Sequence, residues 1–234
     1  MIDEYTALLL SVVIVLIIII VVMFCRSGSF IHEQLYIQPK KVCSTLDTRC
    51  YNIAQKYIGG HQDAANMLAR LNNDLLSVIR YMRDKYLWNQ SRNPGIIIRQ
   101  RMANHMAYRY NADVLSENVP WNMTETSYTQ DKGDKIAICL REKQTGRDEL
   151  EDYSDVLFVG LHELAHVSTN IKDHDDPFWY VFKILLQEAT DAGIYQPVNY
   201  ENQPMNICGL DVQYNPYYDD TMREEFLYPI ANIV

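Results

Sequence analysis

Three of the chain's six histidines lie within thirteen residues, in the stretch LHELAHVSTNIKDHDDPFW, Leu161 to Trp179. His162 and His166 are four residues apart, a spacing that on a helix sets both imidazoles on one face, a turn from each other. Two such imidazoles can ligate one zinc ion, and Glu163 beside them can take a proton from water that the ion makes acidic. The chemistry this allows is attack of water on a polarised carbonyl, as in peptide-bond hydrolysis. The preceding residues, Val156 to Leu161, are apolar and uncharged, which suits a buried active-site helix. The competing reading is a core helix with two hydrogen-bonded histidines, but burying two histidines and a glutamate there without a metal is costly.

The third ligand has two candidates. The metzincin pattern HExxHxxGxxH would need glycine at Thr169 and histidine at Lys172, and it fails. In the gluzincin pattern a glutamate on the next helix completes the site, which points to Glu188. Nearer in sequence is His174, eight residues past His166, which a short loop could swing back to the metal. HELAH, a short loop and then HDDPFW before an apolar helix resemble the WLM and SprT-like metallopeptidases. The strand KIAICLR resembles the one that precedes the active-site helix in those families. The resemblance runs from about Asp113 to Asp191. It implies a zincin-like α+β fold, zinc as cofactor, His162, His166 and His174 as ligands, Glu163 as catalytic base, and a protein or peptide substrate. The loop to His174 is longer than the usual WLM spacing, which keeps Glu188 as the rival ligand. Members known for cleaving DNA–protein crosslinks are soluble and carry DNA- or partner-binding segments, and no clear nucleic-acid-binding segment is found here. The layout more closely resembles membrane-anchored WLM-like proteins encoded by large DNA viruses.

Residues around the motif carry milder expectations. Of Asp173, Asp175 and Asp176, one could orient an imidazole, or Asp175 or Asp176 could cap the helix that Pro177 opens. Phe178 and Trp179 are expected to pack beneath the site rather than to meet substrate. His32, His61 and His105 are isolated. Arg99, Arg101 and Arg109 form a basic face that could meet phosphate or acidic peptide, and a solvated face or partnership with the domain's own carboxylates is the plainer expectation.

Helical periodicity predicts helices over Leu46–Tyr57, Gln62–Trp88, Ile96–Tyr110, Asp152–Thr169 and Asp176–Asp191. Short β patterns fall at Asp113–Glu117 and Lys135–Arg141. The segment 118–134 between them reads as loop or ragged strand, and the chain from Tyr195 as irregular. The fold class expected is α+β, mostly helical with a small sheet.

Ahead of this domain, Ala7–Phe24 is an apolar run with one serine and no charge, long enough for a membrane-spanning helix. The organisation read from the chain is an anchor over 1–25, a stalk over 26–42 and a metallopeptidase domain over 43–234, with its core at about 111–193. Arg26, Lys40 and Lys41 follow the span and no lysine or arginine precedes it. The positive-inside rule then puts the N-terminus outside and the domain on the cytosolic side, or in the virion interior for a viral protein. Five irregularly spaced cysteines do not make a disulfide framework. Reduced thiols fit the cytosolic placement, although Cys43 and Cys50 could pair in an oxidising compartment. The net charge of −9 argues against a dedicated nucleic-acid binder. The expectation is thus a membrane-anchored zinc endopeptidase. The alternative is an anchored structural or partner-binding protein with a non-catalytic zinc site whose fourth position Cys139 or Cys208 could fill.

Overall fold

The computed structural model describes residues 14–23, 39–55, 59–118, 126–142, 149–171 and 173–222, which fall into two units, Met1–Gln38 and Pro39–Val234. In the first unit residues 14–23 are helical and exposed. Among the described residues no helix is long and apolar enough to cross a membrane, so the expected anchor finds no support in the structure. The rest of the apolar run, Cys25, Arg26, His32 and the expected stalk up to residue 38 lie outside the described residues.

The second unit opens with a correction. The end of the expected stalk is strand β1, Pro39–Cys43, and the helix predicted over Leu46–Tyr57 is replaced by strand β2, Cys50–Ala54. Tyr51 and Ile53 are buried and Asn52 between them is exposed. That two-residue alternation is the mark of a half-buried strand, which a helical count over the window obscures. The two strands pair antiparallel, with Cys43 opposite Cys50.

The longer elements follow their periodicity. Helix α1, His61–Tyr86, buries Leu68, Leu71, Leu75, Val78, Ile79 and Met82 along one face. Helix α2, Pro94–Arg109, begins at Asn93, whose side chain accepts from the backbone N–H groups of Gly95 and Ile96, with Pro94 in its first turn. Strand β3, Leu115–Glu117, strand β4, Tyr128–Gln130, and strand β5, Lys135–Ile138, complete a sheet of order β1-β2-β3-β5-β4. Two of its pairings are parallel, β2 with β3 and β3 with β5, and β4 runs antiparallel to β5 at the outer edge. Helices α3, Tyr153–Ser168, and α4, Asp176–Asp191, come next. Beyond them, where irregular chain was expected, strands β6, Met205–Ile207, and β7, Leu210–Val212, form a hairpin. The fold is α+β, as expected, and its hydrophobic core draws on α1, α2 and β2 as well as on residues 111–193.

Two contacts fix α3, the helix that carries HELAH. A Cβ placed on Gly160 would lie 2.6 Å from Leu71 Cδ1, so the missing side chain is what lets α3 approach α1 this closely. At the other end, Arg109 of α2 donates through Nη1 to the carbonyls of Val167 and Thr169 at 3.3 and 3.0 Å, and through Nη2 to Asn170 Oδ1 at 3.0 Å. A guanidinium there answers the exposed carbonyls and the negative end of the helix dipole. Elsewhere a buried pair joins the sheet: Arg141 Nε donates to Glu117 Oε1 at 2.8 Å, and Glu117 Oε2 accepts from Ala54 N–H at 2.8 Å.

The cysteine expectation is also corrected. Cys43 is bonded to Cys50 and Cys139 to Cys208. The second pair is 69 residues apart in sequence, and only the tertiary fold brings its partners together.

Candidate metal centre

The three histidines converge. His162 and His166 project from α3, and His174 arrives from the loop before α4. His162 Nε2 lies 2.9 Å and His166 Nε2 3.2 Å from His174 Nε2. One nitrogen from each ring falls within 4.8 Å of the other two. Tetrahedral zinc with Zn–N bonds of about 2.0–2.1 Å would hold its ligands about 3.3 Å apart, so the donor set and its spacing fit a zinc ion. Burial, reinforced by the neighbouring imidazoles, lowers the His162 pKa to about 3 and that of His166 to about 4. Burial also lowers that of His174, against the pull of Asp173 and Asp175. All three rings are therefore neutral near pH 7, the form that ligates a metal.

The rings are held from below and behind. Phe178 is fully buried, stacks on His166 with centroids 4.2 Å apart, and meets His162 and His174 edge-on at 4.9 and 4.8 Å. Asp175 caps α4 by accepting from Phe178 N–H, so the capping role expected of Asp175 or Asp176 falls to Asp175. The indole N–H of Trp179 donates to the His174 carbonyl at 3.0 Å and so ties the third histidine's loop to α4. His105 Nδ1 lies 3.2 Å from the Ser168 carbonyl, at the end of α3.

Glu163 is buried beside the histidines, and its Oε2 accepts from Thr129 Oγ1 on β4 at 2.8 Å. Burial pushes its carboxyl up to about 7, with the Thr129 hydrogen bond pulling the other way. Thr129 was not singled out in the sequence. It sits thirty-four residues before its partner, in a segment read only as loop or ragged strand, and nothing local marks it. Ser127 to Lys132 form one wall of a cleft of about 620 Å³ whose floor includes Glu163 and all three histidines.

Glu188, the rival ligand, is engaged elsewhere. It is buried, and it accepts from Lys85 Nζ at 2.8 Å, Arg99 Nε at 2.9 Å and the Tyr86 hydroxyl at 2.6 Å. Arg99 thus meets a carboxylate of the domain, as the plainer reading of the basic face expects, whereas Arg109 meets backbone carbonyls and an amide oxygen instead. The fourth ligand considered for a closed, non-catalytic site is excluded for both cysteines, because Cys139 and Cys208 are bonded to each other.

Residues 97–225, more than half of the chain, match the WLM domain. The chain belongs to the WLM-domain family. The match contains α3, α4 and every histidine of this WLM domain's cluster. Two viral relatives are similar to it. An uncharacterized protein of Acanthamoeba polyphaga mimivirus is 43% identical over 96 residues, which is 41% of this chain and 47% of the relative. An uncharacterized protein of Invertebrate iridescent virus 6 is 29% identical over 117 residues, 49% of this chain and 62% of the relative. The WLM chain therefore spans about half the length of the curated relatives it matches. No solved structure matches it.

Proposed function

We propose that the unit Pro39–Val234 is a zinc-dependent endopeptidase of viral origin, with His162, His166 and His174 as metal ligands and Glu163 as catalytic base. The observation that carries this reading is the joint one of three neutral imidazoles meeting at their Nε2 atoms with a buried carboxyl beside them. Membership of the WLM family supports it. The viral relatives support the viral origin. For a membrane anchor, only the apolar composition of Ala7–Phe24 speaks.

A zinc ion held by the three histidines would polarise the scissile carbonyl and acidify water. The chain's own residues do the rest. Glu163 takes a proton from the attacking water and passes it to the leaving amine. Thr129 holds one carboxylate oxygen, so the other is free to face the water. Strand β4 is the outer strand of the sheet and lines the cleft, so an extended peptide can lie along it by strand addition.

The test is Glu163→Gln. The substitution keeps size and helix propensity and removes the base. Zinc content, read by elemental analysis of the full chain, should stay near one per chain. Hydrolysis of peptides should fall by about 10² to 10⁴-fold. Loss of zinc together with the fold would make Glu163 a structural partner. An unchanged rate would move cleavage away from this site.

A further inference from the structure

A second recess of about 460 Å³ adjoins the cleft and is lined in part by the same residues. It shares Ser127, His162, Glu163 and His174 with the cleft along β4, but most of its remaining wall is apolar. The cleft is walled by polar residues of β4 and the turn that follows it. The second recess is walled by Phe158 and Val159 of α3, Trp179 and Phe182 of α4, Val212 of β7 and Tyr214 just beyond it. Thr126 and Gln213 add further polar lining. These rings form a packed set. Phe158 meets Phe182 at 5.2 Å between centroids, and Trp179 meets Tyr214 edge-on at 5.5 Å.

The far wall is also fixed in place. Cys208, in the turn of the hairpin, is bonded to Cys139 and donates its N–H to Glu151 Oε1 at 2.7 Å. Tyr214 donates to Asp219 Oδ2 at 2.7 Å. Apart from the shared catalytic groups, the one charged residue lining the recess is Asp211. It is exposed, and it accepts from Asn206 Nδ2.

Resting on the endopeptidase reading above, we infer that this recess selects the substrate: it takes a large apolar side chain, aromatic or long aliphatic, from a residue that flanks the scissile bond. The position argues for that occupant. A group that fills a recess bounded by Glu163 and His162 is attached within a residue or so of the carbonyl those groups attack. The volume is that of a typical small-ligand pocket. Aromatic walls reward a large apolar side chain through burial and edge-to-face contacts, and they leave a charged or small polar one unpaired or loosely held.

The experiment uses the zinc-loaded full chain and a peptide library varied on both sides of the cleaved bond, with the Glu163→Gln chain as background. The wild type should favour phenylalanine, tyrosine, tryptophan or leucine at one flanking position over serine or aspartate by at least about tenfold in kcat/KM. Val212→Asp, at the half-buried end of β7, should remove most of that preference by placing a carboxylate in the wall. Val159→Phe should shift it toward smaller side chains by filling the recess. Glu163-dependent cleavage with no such preference, or with a preference that neither variant moves, overturns the inference and leaves the peptidase reading standing. No Glu163-dependent cleavage of any library member overturns the peptidase reading, and the inference with it. A binding readout stands apart from turnover. On the Glu163→Gln chain, a phenylalanine-containing library peptide should bind at least about tenfold more tightly than its serine counterpart, followed by the fluorescence polarisation of labelled peptides. Equal affinity of the two peptides overturns the inference.

Discussion

His174 and Glu188 lie fourteen residues apart, and each was a candidate for the same place on a metal. The structure gives them different work. His174 stands within 3.2 Å of the two helix imidazoles, whereas Glu188 neutralises Lys85 and Arg99 in the interior between α1, α2 and α4. The two alanine variants should therefore fail differently. His174→Ala should lower zinc affinity by about 100-fold or more, since even partners behind the ligands are worth about 10 to 100-fold. The measurement is competition against a chromophoric chelator. Glu188→Ala should leave that affinity within about tenfold and instead lower unfolding stability by roughly 2–4 kcal/mol, because it removes the buried carboxylate shared by two cations and a tyrosine hydroxyl, although Lys85 keeps Asp191 and Arg99 keeps the Gly95 carbonyl. Lys85 keeps 35% of its side-chain exposure and Arg99 22%, which holds the cost below that of a fully buried pair. A denaturant melt reads it, and the opposite ranking would return the site to the gluzincin arrangement.

At the scale of elements, the site depends on where α3 sits. Its apolar sequence buries it, but burial alone does not set its depth or its C-terminal end. Gly160 sets the depth against Leu71 of α1. Alanine at this position would gain up to about 1 kcal/mol of helix propensity, and the clash with a fully buried leucine would cost about 1–3 kcal/mol. Gly160→Ala should therefore be net destabilising by about 1 kcal/mol, seen as a lower denaturation midpoint with an unchanged slope. Arg109 secures the end of the helix, one turn from His166. Arg109→Ala should cost roughly 1–3 kcal/mol by leaving the Val167 and Thr169 carbonyls without their charged donor. It should also weaken zinc binding, because His166 lies in the turn that loosens. A full loss of stability with no change in zinc affinity would show that the last turn does not position the ligand.

At the scale of the whole molecule, two indicators of compartment disagree. The charge-bias expectation from Arg26, Lys40 and Lys41 is a cytosolic domain behind a membrane span, whereas two disulfides fit an oxidising environment. In cells, thiol trapping followed by peptide mapping should recover the crosslinked pairs Cys43–Cys50 and Cys139–Cys208. Free thiols at all four positions would instead fit a reducing compartment. Replacing Cys139 and Cys208 together by serine should cost roughly 2–5 kcal/mol and loosen the hairpin that walls the apolar recess.

Much of the site was legible in the chain because its signals are local. HELAH fixes its own geometry through the helical repeat, and Asp175-Asp176-Pro177 marks where α4 must begin. The short approach loop made His174 a candidate without bringing it to the metal. Periodicity placed α1, α2, α3 and α4, since a long helix repeats its apolar signal several times. A strand of five residues repeats it only twice, and so β2 was hidden inside a helical window. What tertiary structure alone decided are the contacts between distant segments. What separates His174 from Glu188 as candidate ligands is the set of partners of Glu188, which lie on α1 and α2. Thr129 became the partner of Glu163 only when β4 took the edge of the sheet. The two disulfides needed the strands to pair and the hairpin to fold back. Trp179, expected only to pack beneath the site, turns its indole N–H to the His174 carbonyl and its ring to the apolar recess. Such contacts depend on loop closure across tens of residues, and no repeat or spacing in the chain encodes them.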